Sequence, residues 1–344
     1  MKKFFNIKYK DIISLENLLF AWQEFLSGKK NKTDVMEFQK NLMLNIISLH
    51  EDLKTKSYVH GGYKAFNISD PKPRNIHKAS VRDRLLHHTI YRILYPHFDR
   101  PFIYDSYSCR LDKGTHKAVR RFEKFGRQVS ENNTKQCWVL KCDIRKFFAS
   151  INHQILKNIL IRYISDQDIL WLLEQVIDSF NAKGKENTGL PLGNLTSQLL
   201  VNIYMNKFDQ WMEHRMKVKF YIRYADDFVI LNKDRDYLWE LVPKIADFLE
   251  EELKLSLHPD KLFIKTFTSG LDFLGWINFS NYRVLRTSTK RRALKALKES
   301  ENINSLISYA GLLKHGNQFG LKEKINRKIK ELEEKKSPLL FMLK

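Results

Sequence analysis

Residues 220–231 read Phe220-Tyr221-Ile222-Arg223-Tyr224-Ala225-Asp226-Asp227-Phe228-Val229-Ile230-Leu231. Two apolar, β-prone runs are joined by a tight connection that carries two adjacent carboxylates. A turn inside such runs lies near a core, and like charges placed together there are electrostatically costly. A bound divalent cation removes that cost. Asp pairs are also ordinary turn formers, so the reading rests on the apolar flanks and not on the pair alone.

A second carboxylate follows the same logic. In residues 138–148 an apolar-rich strand ends at Asp143, where a sheet edge meets solvent. With that strand beside the hairpin, Asp143, Asp226 and Asp227 converge on one or two ions. Carboxylate and phosphate oxygens are what Mg²⁺ prefers, and two ions stabilise both the attacking and the leaving oxygen in phosphoryl transfer.

Charge supplies the partner class. The 344 residues hold 60 Lys+Arg against 39 Asp+Glu, a formal net charge of +21. The excess is not uniform: residues 54–127 hold 17 basic and 6 acidic side chains, residues 283–344 hold 16 and 6, and the remainder balances at 27 of each. Two basic flanks around a neutral block are expected for two walls of a polyanion channel, with nucleic acid as the leading partner. A composition of 43% hydrophobic and 12% aromatic residues excludes a disordered or fibrous chain. Lys8, Lys10 and Asp11 interrupt the apolar start, and no run approaches the length of a membrane span. The expectation is a soluble, cytoplasmic protein. Cys109, Cys137 and Cys142 form no CxxC pair, so reduced, buried thiols are expected rather than a disulfide framework or zinc ribbon.

Periodicity predicts an N-terminal helical hairpin over 12–53, broken near 27–31. A basic β-hairpin follows, 63–68 and 74–78, turning through Ser69, Asp70, Pro71, Lys72 and Pro73. A helix over 81–94 is expected to stop at Pro96. Then come a strand (138–144), helices (152–163, 166–180, 195–212), a strand–turn–strand (219–231), a helix (237–253), strands near 262–266 and 271–277, and a basic helical end after Arg286. Strands returning irregularly after helices indicate an α+β fold, with helices on one face of an antiparallel sheet.

From about residue 57 to 313 the chain resembles reverse transcriptases. The Tyr224-Ala225-Asp226-Asp227 box is similar to the family's palm signature, and Asp143 with Phe147-Phe148 is similar to its first palm motif. The resemblance implies a right-hand polymerase fold: an N-terminal helical region (1–56), fingers and palm (57–282) and a basic helical thumb (283–344). Asp143, Asp226 and Asp227 would be the catalytic carboxylates, joined by Ile144 in holding two Mg²⁺ ions, with Mn²⁺ able to substitute. Nucleotide contacts fall to Lys64 and Arg74 on opposite strands near the fingers turn, Arg110, Phe148, Gly193, Gln198 and Lys261. Gly193 permits close backbone approach, and Asn194 or Thr196 is the expected cap of the helix that follows. Phe148, five residues after Asp143, would crowd the 2′ carbon and favour DNA over RNA synthesis, although either Phe147 or Phe148 must pack inward. Phe273, Leu274, Gly275 and Trp276 resemble the hairpin that grips the primer end. Lys290, Arg291 and Arg292 would ride on the template–primer backbone.

Within the family, Leu192-Gly193-Asn194-Leu195-Thr196-Ser197-Gln198 replaces a more usual Gln-Gly…Ser-Pro frame and resembles the reverse transcriptases of diversity-generating retroelements. That implies copying of a template-repeat RNA from dNTPs into a cDNA/RNA primer-template, with adenine-directed errors that diversify a variable gene (mutagenic retrohoming). It also implies an accessory variability protein as partner. A retron-like or antiphage-defence reverse transcriptase, and a non-catalytic RNA-binding protein on the same fold, stay open.

Overall fold

The computed structural model describes residues 4–69, 73–299 and 302–341, with side chains described as far as residue 334. The central part of the hairpin turn expected at 69–73 lies outside the described residues. Four N-terminal helices, α1 (Tyr9–Ile13), α2 (Leu15–Phe25), α3 (Thr33–Lys40) and α4 (Leu42–Lys54), replace the expected two. Ser14 starts α2 by accepting from the Asn17 N–H, which is why the first apolar run divides there.

The hairpin β1 (Tyr63–Ile68) and β2 (Arg74–Ala79) pairs antiparallel, Lys64 opposite Lys78 and Ile68 opposite Arg74. Helix α5 (Val81–Asp99) runs through Pro96 instead of stopping before it. So close to the C-terminal end, the proline forfeits one ladder bond without ending the helix. Helix α6 (Thr115–Val129), not foreseen, precedes β3 (Trp138–Asp143). Then follow α7 (His153–Leu160), α8 (Gln167–Asp178), α9 (Leu195–Gln210), β4 (Tyr221–Tyr224), β5 (Asp227–Asn232), α10 (Arg235–Leu253) and β6 (Phe263–Thr266). Residues 271–277 form no single strand: Leu274 and Gly275 both take positive φ, folding β7 (Leu271–Phe273) onto β8 (Trp276–Asn278), with β9 (Arg283–Leu285) beside β8. Helices α11 (Thr287–Glu299), α12 (Ile303–Leu313) and α13 (Phe319–Phe341) close the chain.

The strand order β4-β5-β3-β6 makes the central sheet. Two compact units divide the chain: the first comprises residues 1–112, 142–228 and 241–262, the second 113–141, 229–240 and 263–344. The first has an aromatic core in which Phe208 lies 5.3 Å from Phe228 and Trp211 stacks on Phe248 at 4.5 Å. In the second, Phe122 contacts Phe267 and Phe273, and Ala293, Leu306, Ala310, Leu313 and Ile325 form the buried seam of the last three helices. Cys137 and Cys142 are buried as expected, whereas Cys109 is exposed. No helix among the described residues is long and apolar enough to cross a membrane.

Candidate functional site

The β4–β5 connection has two central residues, Ala225 and Asp226. Ala225 takes φ +56°, a conformation usually reserved for glycine. Both carbonyls of the turn are held: Arg223 Nη1 donates to Ala225 O at 3.1 Å, and the Ile144 N–H donates to Asp226 O at 3.1 Å. Ile144 thus ties the end of β3 to the acidic turn through its backbone.

Under the turn lies a network that sequence reasoning missed. Arg223, 1% exposed, donates through Nε and Nη2 to the two carboxylate oxygens of Asp209, 0% exposed, at 2.7 and 2.5 Å. Tyr221 Oη gives Asp209 a third bond at 2.8 Å, and Ser106 Oγ accepts from Arg223 at 3.1 Å. Burial works against the Arg223 charge, but Asp209 outweighs it and raises the guanidinium pKa. One signal was available: an arginine inside an apolar strand, two residues from Tyr221 and so on the same face.

Asp143 ends β3 with its carbonyl accepting from the His258 N–H at 2.8 Å, while the Arg145 N–H donates to Ser256 O at 2.9 Å. This short antiparallel bridge delivers Lys261, whose Nζ lies 2.8 Å from Asp143 Oδ1. Burial pushes the Asp226 carboxyl above the usual range, and the charge of Asp143 adds to the push. Lys261 and Arg74 oppose it. Asp143, Asp226, Lys261 and Arg74 are therefore within electrostatic reach of one another. Asp227 opens β5, partly buried. Among the described residues no group of three or more His, Cys, Asp or Glu side chains is arranged to hold a metal ion. What the structure brings together is a pair of mutually repelling carboxylates, and their hard oxygen donors fit Mg²⁺, which is commonly held by one or two carboxylates plus substrate phosphates.

Phe147 is the phenylalanine that packs inward at 3% exposure, leaving Phe148 partly exposed. Gly193 takes φ +104°, and a Cβ there would stand 2.8 Å from Ile76 Cγ2, so only glycine lets this loop meet the β-hairpin. The contact continues through the His77 N–H to Leu192 O (3.0 Å) and Asn194 Nδ2 to His77 O (2.8 Å). Asn194 occupies the cap position of α9, yet its side chain pins the hairpin instead of capping. Gln198 is partly buried.

Two expectations need correction. Lys64 is not near the hairpin turn: the register places it opposite Lys78, on the same face as Arg74 but four residues farther along, about 13 Å. Arg110 is no free phosphate ligand. It donates to Asp99 Oδ1 and to the carbonyls of Ile103 and Ser106 at 2.7, 2.7 and 3.0 Å, with its side chain only 6% exposed. In the second unit, Phe273 and Trp276 face each other across the Leu274-Gly275 turn, and Asp272 accepts from Arg286 at 2.5 Å. Lys290 and Arg291 are exposed on α11 and Arg292 partly so, near the buried Ala293.

The family model for reverse transcriptase (RNA-dependent DNA polymerase) matches residues 68–278, more than half of the chain. The chain belongs to the reverse transcriptase family. Among sequence relatives of this reverse transcriptase, protein YkfC of Escherichia coli is 26% identical over 71% of this chain and 72% of its own length. The group II intron-encoded protein LtrA of Lactococcus lactis is 22% identical over 67% of this chain and 48% of its own. The putative COX1/OXI3 intron 2 protein of Saccharomyces cerevisiae is 20% identical over 90% and 42%. The reverse transcriptase fold is shared with telomerase from Candida albicans, solved with a fragment of telomeric RNA (TM-score 0.52, 13% identity, 81% of this chain and 55% of that one). Apo telomerase from Candida tropicalis gives 0.52, 15%, 83% and 61%. The chain thus spans less than half of the intron proteins and about 60% of the telomerase chains.

Proposed function

We propose that the chain copies RNA into DNA by nucleotidyl transfer from dNTPs to a primer 3′ hydroxyl. The observation that carries this reading is the pairing of Asp143 with the partly buried Asp226, two carboxylates held close with Lys261 and Arg74 beside them. Asp143 and Asp226, with Asp227 adjacent, would hold the metal ions. When bound, two divalent ions supply Lewis-acid activation of the attacking hydroxyl and neutralise the departing pyrophosphate. Lys261 leaves Asp143 for the triphosphate, Arg74 adds a fork suited to phosphate oxygens, and the partly exposed Phe148 excludes the 2′ hydroxyl. Residues 57–282 act as fingers and palm, and residues 283–344 as thumb.

The finer reading is the diversity-generating type, with a template-repeat RNA as substrate and an accessory variability protein as partner. Its support is Leu192 and Gln198, which differ from the more usual Gln and Pro in the loop that Gly193 brings against the β-hairpin. Primer extension on RNA, followed by sequencing of the cDNA, tests both levels. Asp226→Ala is expected to lose about 10³-fold or more in rate; equal incorporation by wild type and variant would sink the enzymatic reading. Leu192→Gln is expected to lower misincorporation opposite template adenines, and an unchanged error spectrum removes the finer reading alone.

For the thumb, replacing Lys290, Arg291 and Arg292 by Gln is expected to weaken primer–template binding and flatten its salt slope by about 0.7–0.9 for each phosphate that is no longer neutralised. A slope equal to wild type would place these residues away from the nucleic acid.

A further inference from the structure

Helix α6 carries five Lys and Arg residues against one Glu. Its buried face is Ala118, Val119, Phe122, Phe125, Gly126 and Val129, and Gly126 lies so close to the Phe267 ring that a Cβ would stand 2.3 Å from Cζ. The helix is thus fixed within its own unit and presents its other face outward. On that face Arg120, Lys124 and Arg127 are exposed, four and three residues apart and so in a single row. Like charges at these spacings cost a helix stability, and soluble surfaces normally intersperse the two signs.

The row borders a groove of about 510 Å³ that Glu123, Gln128, Glu131 and Asn132 complete. The two acids do not neutralise the row, because each is already held by two cations. Glu123 pairs with Arg127 at 2.7 Å and with Arg283 at 3.3 Å. Glu131 pairs with Lys233 and, at 3.0 Å, with Lys135, and these two ammoniums hold its carboxyl below the usual range. Among the described residues, Arg120 and Lys124 form no ion pair. The groove therefore keeps a surplus of positive charge that nothing on its own walls offsets.

The chemistry of the face narrows the partner. The aromatic side chains of the helix, Phe122 and Phe125, are buried, so the row offers charge but no ring for bases to stack on. Single strands are held largely by such rings, whereas a duplex, with its bases paired, is held through its phosphates. From Arg120 to Arg127 the helix rises about 10 Å, a length over which one strand of a duplex presents about three phosphates. Gln128 and Asn132 add donors of the kind that contact phosphate and sugar oxygens.

We infer that α6 is a docking face for the sugar–phosphate backbone of double-stranded RNA, a stem folded within the template. The inference rests on the RNA-copying reading for the identity of the nucleic acid; the primer–template itself is assigned to Lys290, Arg291 and Arg292. The test measures binding of a fluorescently labelled RNA hairpin of about 16 base pairs to the full chain over a range of salt concentrations, without dNTPs. Arg120→Gln combined with Lys124→Gln is expected to bind about tenfold more weakly and to flatten the salt slope by about 1.8, or 0.9 for each phosphate no longer neutralised. Arg120→Lys combined with Lys124→Arg keeps both charges and should keep the wild-type affinity and slope. A double Gln variant with the wild-type slope overturns the inference. So does an equal loss in the charge-preserving variant, which would make the two residues structural. Polyglutamate that binds as tightly as the hairpin, with the same loss in the double Gln variant, would mark a dock for an acidic protein and also overturn it. Primer extension run alongside separates the two readings: hairpin binding through this face without DNA synthesis breaks the polymerase reading alone, and DNA synthesis with an unchanged slope breaks this one.

Discussion

Arg223–Asp209 and Lys261–Asp143 are both cation–carboxylate pairs tied to the acidic turn, one beneath it and one at its open edge. The first is saturated. Asp209 receives bonds from Arg223 and Tyr221, and both charges are almost wholly buried. In the second a single contact joins a 44% exposed lysine side chain to a 14% exposed carboxylate, and Asp143 also repels the neighbouring Asp226. A saturated buried pair fixes geometry, because removing one partner strands the other in low dielectric. A single-contact pair at a solvent edge contributes little to stability, so substrate and ions can replace it at small cost. The turn is thus held rigidly from below and left exchangeable at its edge.

The largest expected effect falls on the saturated pair. Asp209→Ala leaves the Arg223 charge buried and should destabilise the fold by about 3–5 kcal/mol, read from urea unfolding. Arg223→Met combined with Asp209→Leu should recover most of that loss, since no charge is then stranded. A single variant that costs less than about 1 kcal/mol would erase the contrast between the pairs.

Lys261→Met probes the open edge and should invert the balance. Nucleotide incorporation is expected to fall about 10- to 100-fold, roughly 1.4–2.7 kcal/mol of transition-state stabilisation. Unfolding free energy should move by less than about 0.5 kcal/mol. Single-turnover incorporation beside urea unfolding separates the two quantities. A stability loss as large as the activity loss would make Lys261 a structural residue.

The same contrast explains what could be read from sequence. The acidic turn was legible because its carboxylates interrupt an apolar run, a local pattern that needs no knowledge of the fold. Asp143 was legible for the same reason, at the end of an apolar strand. Arg110 was misread because its acceptors, the Asp99 carboxylate and the carbonyls of Ile103 and Ser106, converge only when the chain after α5 turns back. A basic residue looks alike in sequence whether it is already paired or free. Asp209 was missed on the same ground: it lies 14 residues from Arg223, and only the packing of α9 under β4 joins them. The β1–β2 hairpin was foreseen nearly to the residue, but not that Lys64 sits far from its turn, because register counts back from a loop whose length composition does not fix.

On stability, Asp226→Asn gives the most diagnostic effect, a small gain. Burial and the neighbouring Asp143 raise the Asp226 carboxyl above its unfolded value of 3.8. As pH rises, the unfolded chain ionises first, and the folded state carries a penalty once Asp226 is charged as well. Removing that charge should therefore stabilise the protein at neutral pH, by up to about 1 kcal/mol. The gain should fade as pH falls through the folded-state pKa and vanish below the unfolded one, where both forms are neutral. Urea unfolding of wild type and variant across pH 3–7 reads the sign directly. A variant less stable than wild type at pH 7 would mean that Asp226 is already compensated within the protein. The open edge would then resemble the saturated pair beneath it, and the site would have no residual repulsion left for substrate and ions to relieve.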